Sequence, residues 1–404
     1  MWTSPFRKAP AVRFPRRVTA AIAAAALLTT GLAGCSSDDD QATAPADVLI
    51  GADLAANSPT DAAYGRALQL RIDQINASGV LANRRLRLSV LDNRSDPTVS
   101  LRNISAFADN PAVAAVVSGY CSACISNAYK TINEKKVPTI ALAPANQVAQ
   151  PVQDRKFIFK LGPNSGDSAA ALAGALKADR VSAKAFVKRV GVLSTDDDYG
   201  TGAKAAFTSE AAKAGLQIPS SVTVKASATD ITQAVGTLAD SEPDALVFLI
   251  GPDQAALAAT SAKAAGFTGK IYYDAAAAGD LFIPQDAEAA SEGAKMVFTQ
   301  TLAIDDVIAT TPAKAARKQW FRDYTSRYGT YNGVAALAAD AVNVLADAIA
   351  RNGTDRVAIR DAVETAQLDG ISGAIRLTPD NHSGLMPQAL TLLVARSGRW
   401  RLAS

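Results

Sequence analysis

The chain is 404 residues long, 49% hydrophobic and 20% charged, with a formal net charge of +3 at pH 7. The first 34 positions hold five basic residues (Arg7, Lys8, Arg13, Arg16, Arg17) and no acidic one, so the remainder carries about −2. That balance argues against a nucleic-acid-binding surface. His382 is the only histidine, and Cys121 and Cys124 have no second C-x-x-C to partner them, so a zinc site is improbable and no metal or other cofactor is expected.

Residues 1–34 have the order of an export signal. The basic stretch is followed by a mostly apolar run from Val18 to Leu32, shorter than the roughly 20 residues a spanning helix needs. The run ends in Leu32-Ala33-Gly34-Cys35, which resembles the bacterial lipobox. The resemblance implies cleavage before Cys35 and acylation of that residue, making the chain an exported lipoprotein tethered to the cell membrane. Two or more acyl chains, at about 0.8 kcal/mol per buried CH2, anchor stably. A plain secretory signal with a chance cysteine is the alternative. Arg16-Arg17 is a poor twin-arginine match beside Pro15 and Val18-Thr19, which favours the general secretory route. Residues 35–46 contain nothing to bury beyond the lipidated cysteine and are expected to form a flexible tether. Export leaves Cys121 and Cys124 in an oxidising compartment. Their C-x-x-C spacing admits a structural disulfide, free thiols or a redox pair.

About 358 residues follow the tether, which suits two lobes rather than one core. Asp47 to Asp53 predicts a strand, and Asp61 to Ala77 a helix closed by a turn at Gly79. Leu86–Leu91 precedes a helix over Pro97–Ala108, and Ala112–Ser118 one over Ser122–Lys136. The rhythm restarts after Gly162-Pro163-Asn164. Val190–Ser194 leads to a helix over Thr201–Ala214, and Asp244–Ile250 to one over Asp253–Ala265, while Thr229 or Asp230 caps a helix starting near Ile231. Pro163, Pro219 and Pro243 fall in connections or at strand starts. Short buried strands alternating with helices predict βαβ units and parallel sheets. The fold class is therefore α/β, with two doubly wound, Rossmann-like lobes that bind ligands at the carboxyl ends of their strands.

In chain order the segments resemble the branched-chain amino-acid-binding (Leu/Ile/Val-binding-like) substrate receptors of ABC transporters, a type I periplasmic-binding-protein fold. The likeness runs through Ile50-Gly-Ala-Asp53, Gly65-Arg-Ala-Leu68 with Asp73-Gln-Ile-Asn-Ala-Ser-Gly79, Asp92-Asn-Arg-Ser-Asp-Pro97, Ser118-Gly-Tyr-Cys-Ser122 and Val137-Pro-Thr-Ile140. It continues through Asp196-Asp-Asp-Tyr-Gly200, Phe248–Gly266, and Leu368-Asp-Gly-Ile-Ser-Gly373 with Thr378-Pro-Asp380. The resemblance implies two lobes joined by a three-strand hinge, closing on an amino acid or similar small polar solute, with no enzymatic activity. It places the first lobe at 47–162 plus 299–372 and the second at 163–298 plus 373–404. It also implies a monomer working with an ABC permease in the membrane.

Ser122, opening a helix beside Ala123, is positioned to hold an anion with its hydroxyl and the neighbouring N–H; an ordinary helix cap is the plainer reading. By resemblance Ser122 is a ligand contact, and Ala143 and Ala145 are backbone contacts in Ala141-Leu-Ala-Pro-Ala145. Alanine at 145 removes a hydroxyl that the family usually has, and Asn146 is a candidate replacement. Tyr199 corresponds to the family's aromatic lid, and Tyr120 is a second wall. The acidic partner of a ligand ammonium falls on Asp274 or Ala275, with Asp280 more distant. Gly251 or Pro252 stands where relatives often carry tyrosine, implying a reshaped pocket.

Other features are discounted. Gly200-Thr-Gly-Ala-Lys204 lacks phosphate-loop spacing, and no G-x-S-x-G elbow exists. His382, in Pro379-Asp-Asn-His-Ser-Gly384, is expected to be a solvated turn residue. Asp38–Asp40 and Asp196–Asp198 lack calcium-loop spacing and are expected to be solvated charge. The Ala-rich stretch Val334–Ala350 is expected to be lobe core. A sensor presenting its solute to a membrane receptor or kinase, and an exported thiol–disulfide protein, are the alternative functions.

Overall fold

The computed structural model describes residues 46–183 and 185–403. The expected signal peptide, Cys35 and the tether up to residue 45 lie outside the described residues. The described residues belong to one compact unit.

The first sheet is built from β1 (Ala46–Leu54), β2 (Arg84–Asp92), β3 (Val113–Ser118), β4 (Thr139–Ala141) and β5 (Ile158–Lys160). Its order is β2-β1-β3-β4-β5, and every pairing is parallel. Three crossovers are helices: α1 (Pro59–Ser78), α2 (Pro97–Asp109) and α3 (Ser122–Glu134). Their termini carry the expected signals. Ser58 and Asp96 cap α1 and α2 through side-chain oxygens, each with a proline in the first turn, and Gly79 ends α1 in the left-handed conformation. The wholly buried strand β3, Val113-Ala-Ala-Val-Val-Ser118, explains the apolar run: both of its faces are covered by helices.

The chain then enters a second sheet. After α4 (Ser165–Ala178) and a short hairpin of β6 (Arg180–Ser182) and β7 (Ala185–Phe186) come β8 (Arg189–Thr195), α5 (Asp198–Ala214), β9 (Gln217–Val224), α6 (Thr232–Ala239), β10 (Ala245–Leu249), α7 (Pro252–Ala264), β11 (Lys270–Tyr273), α8 (Gln285–Ser291) and β12 (Lys295–Thr299). Three helices follow, α9 (Pro312–Tyr328), α10 (Ala335–Asn352) and α11 (Arg356–Glu364), then β13 (Gln367–Asp369), β14 (Ala374–Arg376), β15 (Leu390–Arg396) and β16 (Arg399–Leu402). The second sheet runs β16-β15-β12-β11-β10-β8-β9. It is mixed rather than wholly parallel, because β15 adds antiparallel to β12 and β16 adds antiparallel to β15. Pro219 lies inside β9 rather than at its start, tolerated because β9 is an edge strand with one side free of ladder bonds. At α6, Asp230 accepts the Thr232 N–H at 2.8 Å.

The chain passes between the sheets after β5, after β12 and after β14, giving an α/β fold of two lobes joined by three strands. The third passage contains a correction. His382 is buried, not solvated: Lys160 N donates to His382 O and Gly384 N donates to Lys160 O, both at 2.8 Å, drawing the turn over β5. Its ring lies 4.3 Å from that of Phe159, Nδ1 is 2.9 Å from Ile158 O, and Nε2 is 3.1 Å from Glu364 Oε1. Asp196–Asp198 likewise do more than meet solvent. Asp197 caps α5 by accepting Gly200 N at 2.9 Å, and Asp196 accepts Ala226 N at 2.9 Å. Gly200 is required at that turn, since a Cβ would lie 2.2 Å from Thr195 O.

The Ala-rich stretch is α10, whose residues are almost all buried and which packs along α1. Small side chains let these helices and the first sheet approach closely. Within α10, Asp340 is fully buried and accepts Ile371 N and Ser372 N at 2.7 Å and Ser372 Oγ at 2.6 Å. It thereby fixes the 370–372 loop. Among the described residues no helix is long and apolar enough to cross a membrane.

Replacing Asp340 by alanine strands those three donors in a dry site. Chemical unfolding of Asp340→Ala is expected to show a loss of about 2 kcal/mol or more, with Asp340→Asn losing less.

Candidate functional site

The carboxyl ends of the parallel strands of both sheets face a common cleft, as doubly wound folds require. From the first sheet, the turn after β3 presents Tyr120. Asp61, near the start of α1, holds that turn by accepting Tyr120 N at 2.8 Å and Ala55 N at 2.7 Å. Gly119 must be glycine here, because a Cβ would fall 2.5 Å from the Asp61 carboxylate. Burial pushes the Asp61 carboxyl up to about 6, against the lowering effect of those two N–H donors.

From the second sheet, Asp274 follows β11 and Tyr199 lies in the first turn of α5. Asp274 is buried, accepting the Tyr199 hydroxyl at 2.6 Å and the hydroxyl of Ser168 on α4. Burial raises its carboxyl, and bonds from Ser168, Tyr199 and Ala275 together with the charge of Lys160 act the other way. Loops of the two sheets meet where the Tyr120 hydroxyl donates to Ala276 O at 3.2 Å. Ser126 Oγ to Asp198 and Gln147 Nε2 to Asp198 O, each 3.2 Å, close the same side.

Between these groups lies a cavity of about 30 Å³, so any solute larger than a few water molecules enters only if the walls part. Of the residues singled out from sequence, Tyr120, Tyr199 and Asp274 line it. Ser122, Ala123, Ala143 and Ala145 do not. Ser122 occupies the first turn of α3 behind a Cys121 N-cap, and its hydroxyl oxygen accepts Ala145 N at 3.3 Å. Ala143 and Ala145 are buried, Ala123 is exposed on the helix, and Leu142 and Pro144 are the members of that loop on the wall. Asn146 accepts Ser165 N at 3.2 Å, tying the loop to α4. Asp280 lies away from this cavity, bonded to Asn332 at 3.0 Å. Cys121 and Cys124 are joined as a disulfide beside Ser122. Among the described residues no group of His, Cys, Asp and Glu is placed to hold a metal ion.

Several site residues were missed from sequence. Asn164, Ser165 and Ser168 line the cavity from the first passage and α4, with Tyr64 from α1 and Phe298, Val334 and Leu337 as apolar walls. Lys160 stands behind them, fully buried, giving its ammonium protons to the Gly162 and Pro163 carbonyls. A lysine inside the apolar run Phe157-Ile-Phe-Lys-Leu161 was the available signal. The serines gave none, since helical serines are ordinarily surface residues.

Burial lowers the Lys160 amine to about 7, partly offset by the nearby carboxylates of Asp274 and Asp167. Its folded value lies below that of the unfolded chain. Between about pH 7 and 10 the unfolded state therefore binds more protons, and Lys160 makes stability rise with pH.

With this geometry in hand, the chain can be compared with known proteins. The model of the periplasmic binding protein family matches residues 50–399, and the chain belongs to that family. Its fold is similar to that of leucine-binding protein LivK from Thermotoga maritima, with 24% identity, 88% of this chain and 98% of that one covered, and a TM-score of 0.74. It is also similar to an extracellular ligand-binding receptor from Rhodopseudomonas palustris (22% identity, 89% and 100% covered, TM-score 0.78). A third likeness is to an ABC transporter substrate-binding protein from Desulfitobacterium hafniense in complex with Leu (19% identity, 88% and 100% covered, TM-score 0.70). A search among curated proteins found no match. The family is one of solute-binding receptors, working outside the cytoplasm and binding rather than converting what they hold.

The Lys160 linkage is open to measurement. The wild-type melting temperature, followed from pH 7 to pH 10, is expected to gain a rising contribution that Lys160→Met lacks. Parallel profiles for the two proteins would show that Lys160 keeps its ordinary affinity for protons.

Proposed function

We propose that this protein is the extracytoplasmic solute receptor of an ABC importer, anchored through Cys35, that captures an amino acid or similar small polar solute between its lobes. One observation carries the reading: a buried carboxylate from one sheet, Asp274, and an aromatic side chain from the other, Tyr120, line the same closed cavity. A solute touching both surfaces contacts them together only when the lobes are shut, so its binding energy favours closure. The closed surface is then what a membrane permease recognises. The lobes are 47–162 plus 299–372 and 163–298 plus 373–404. Tyr120, Tyr199 and Asp274 contact the solute. Ser122, Ala123, Ala143 and Ala145 act one step back, shaping the loop that carries Pro144. The similar folds of a leucine-binding protein and of a substrate-binding protein in complex with Leu support a solute of amino-acid size.

Two measurements test this. Purified full chain screened against amino acids, amides, amines and small carboxylates should gain several degrees in melting temperature with at least one class; silence across all of them would sink the receptor reading. Asp274→Asn should weaken the best binder by about tenfold or more, in keeping with ~1.5–3 kcal/mol for a hydrogen bond to a charged group. A gene deletion should abolish uptake of that compound.

A further inference from the structure

The cavity wall is unequal in its capacity to donate and to accept hydrogen bonds. Each hydroxyl owns one proton. Tyr64, Tyr120, Ser165, Ser168 and Tyr199 bring five hydroxyls to the wall, and four of the protons are already committed. Tyr64 donates to Leu142 O at 3.1 Å and Tyr120 to Ala276 O at 3.2 Å, while Ser168 and Tyr199 both donate to Asp274. The loop on the first lobe adds little. Pro144 has no N–H, and Ala145 has no hydroxyl and spends its N–H on Ser122. Lys160 is turned to the Gly162 and Pro163 carbonyls and is not on the wall.

Acceptors, by contrast, remain. The side-chain oxygen of Asn164 is buried with no hydrogen-bond partner. The orientation of that amide is fixed from its other end, where Nδ2 donates to Asp167 Oδ2 at 3.3 Å, a group that only accepts. Asn164 opens α4 but makes no side-chain capping bond, so its oxygen has no duty within the helix. The Asp274 carboxylate has lone pairs beyond those filled by two hydroxyls. The charges around Tyr120 are also one-sided: carboxylates of Asp197, Asp253, Asp274 and Asp61 add to the burial that pushes its phenol up.

We propose that the cleft selects a small amine lacking an α-carboxylate, whose ammonium donates to Asn164 Oδ1 and the Asp274 carboxylate while its apolar end meets Phe298, Val334 and Leu337. This rests on the receptor reading and narrows it. A carboxylate in the same space would exchange its water for a wall of acceptors, whereas an ammonium finds the partners that are unfilled. Asn164 is thus a specificity residue, set on the passage between lobes where it meets the solute as they close.

The test uses three matched sets with the purified full chain: the common amino acids, the amines left when each carboxylate is removed, and the acids left when each amino group is removed. Melting shifts followed by calorimetric Kd values are expected to be strongest in the amine set, at least tenfold tighter than the parent amino acid. Asn164→Leu should weaken that amine by about tenfold while the unliganded protein still melts cooperatively, and Asn164→Asp should restore binding. A best binder among the amino acids or acids overturns the proposal and leaves the receptor reading standing. An amine that binds Asn164→Leu unchanged removes Asn164 from the site and overturns the assignment. No shift in any set overturns both readings.

Discussion

A carboxylate taken out of water must be surrounded by donors, and this fold uses that demand to order its loops. Four aspartates are buried among the described residues: Asp53, Asp61, Asp274 and Asp340. Asp53, in β1, gathers Asn93, Ser100 and Asn103. Asp61 gathers the backbone N–H groups of Ala55 and Tyr120, and Asp340 those of Ile371 and Ser372. Burial raises all four carboxyls, and the hydrogen bonds each one gathers act the other way. The turns at the mouth of the cleft are irregular in backbone yet held, because displacing any of them would strand a charge.

Asp274 differs from the other three in lying on the cavity wall, where hydroxyls of α4 and α5 donate to it. The same group that fixes its surroundings is therefore exposed to whatever the cleft takes up. Lys160, at the end of β5 in the other sheet, supplies an opposing charge within the apolar floor. A buried pair of this kind is a poor source of stability in itself. Its position, at the first passage between lobes, suits an element whose surroundings change when the cleft opens.

The passages are held together as firmly as the sheets. Lys160 N and O both bond the 382–384 turn, and His382 is stacked on Phe159 and bonded to Glu364 of α11. The first and third connections thus behave as a short two-stranded joint, anchored to the first lobe through α11. Lobe motion about such a joint would be taken up by a few residues at the element ends beyond it, as hinge closures generally are.

The sequence alone determined the alternation of strands and helices, because short apolar runs and helical periodicity are local properties. It placed β1 to β3, α1 to α3 and the βαβ logic correctly; Tyr120, Tyr199 and Asp274, which it also singled out, line one cavity. What it could not supply was decided by packing between distant segments. The antiparallel edge of β15 and β16, the burial of His382, and the turning of Ser122 toward Ala145 rather than into the cavity all depend on partners far away in the chain. Asn164 and Ser168 reach the cavity wall, and Lys160 the space behind it, for the same reason. A hydrogen bond or a buried charge has no periodicity to announce it, and only the folded chain shows which donors are spent and which acceptors are left.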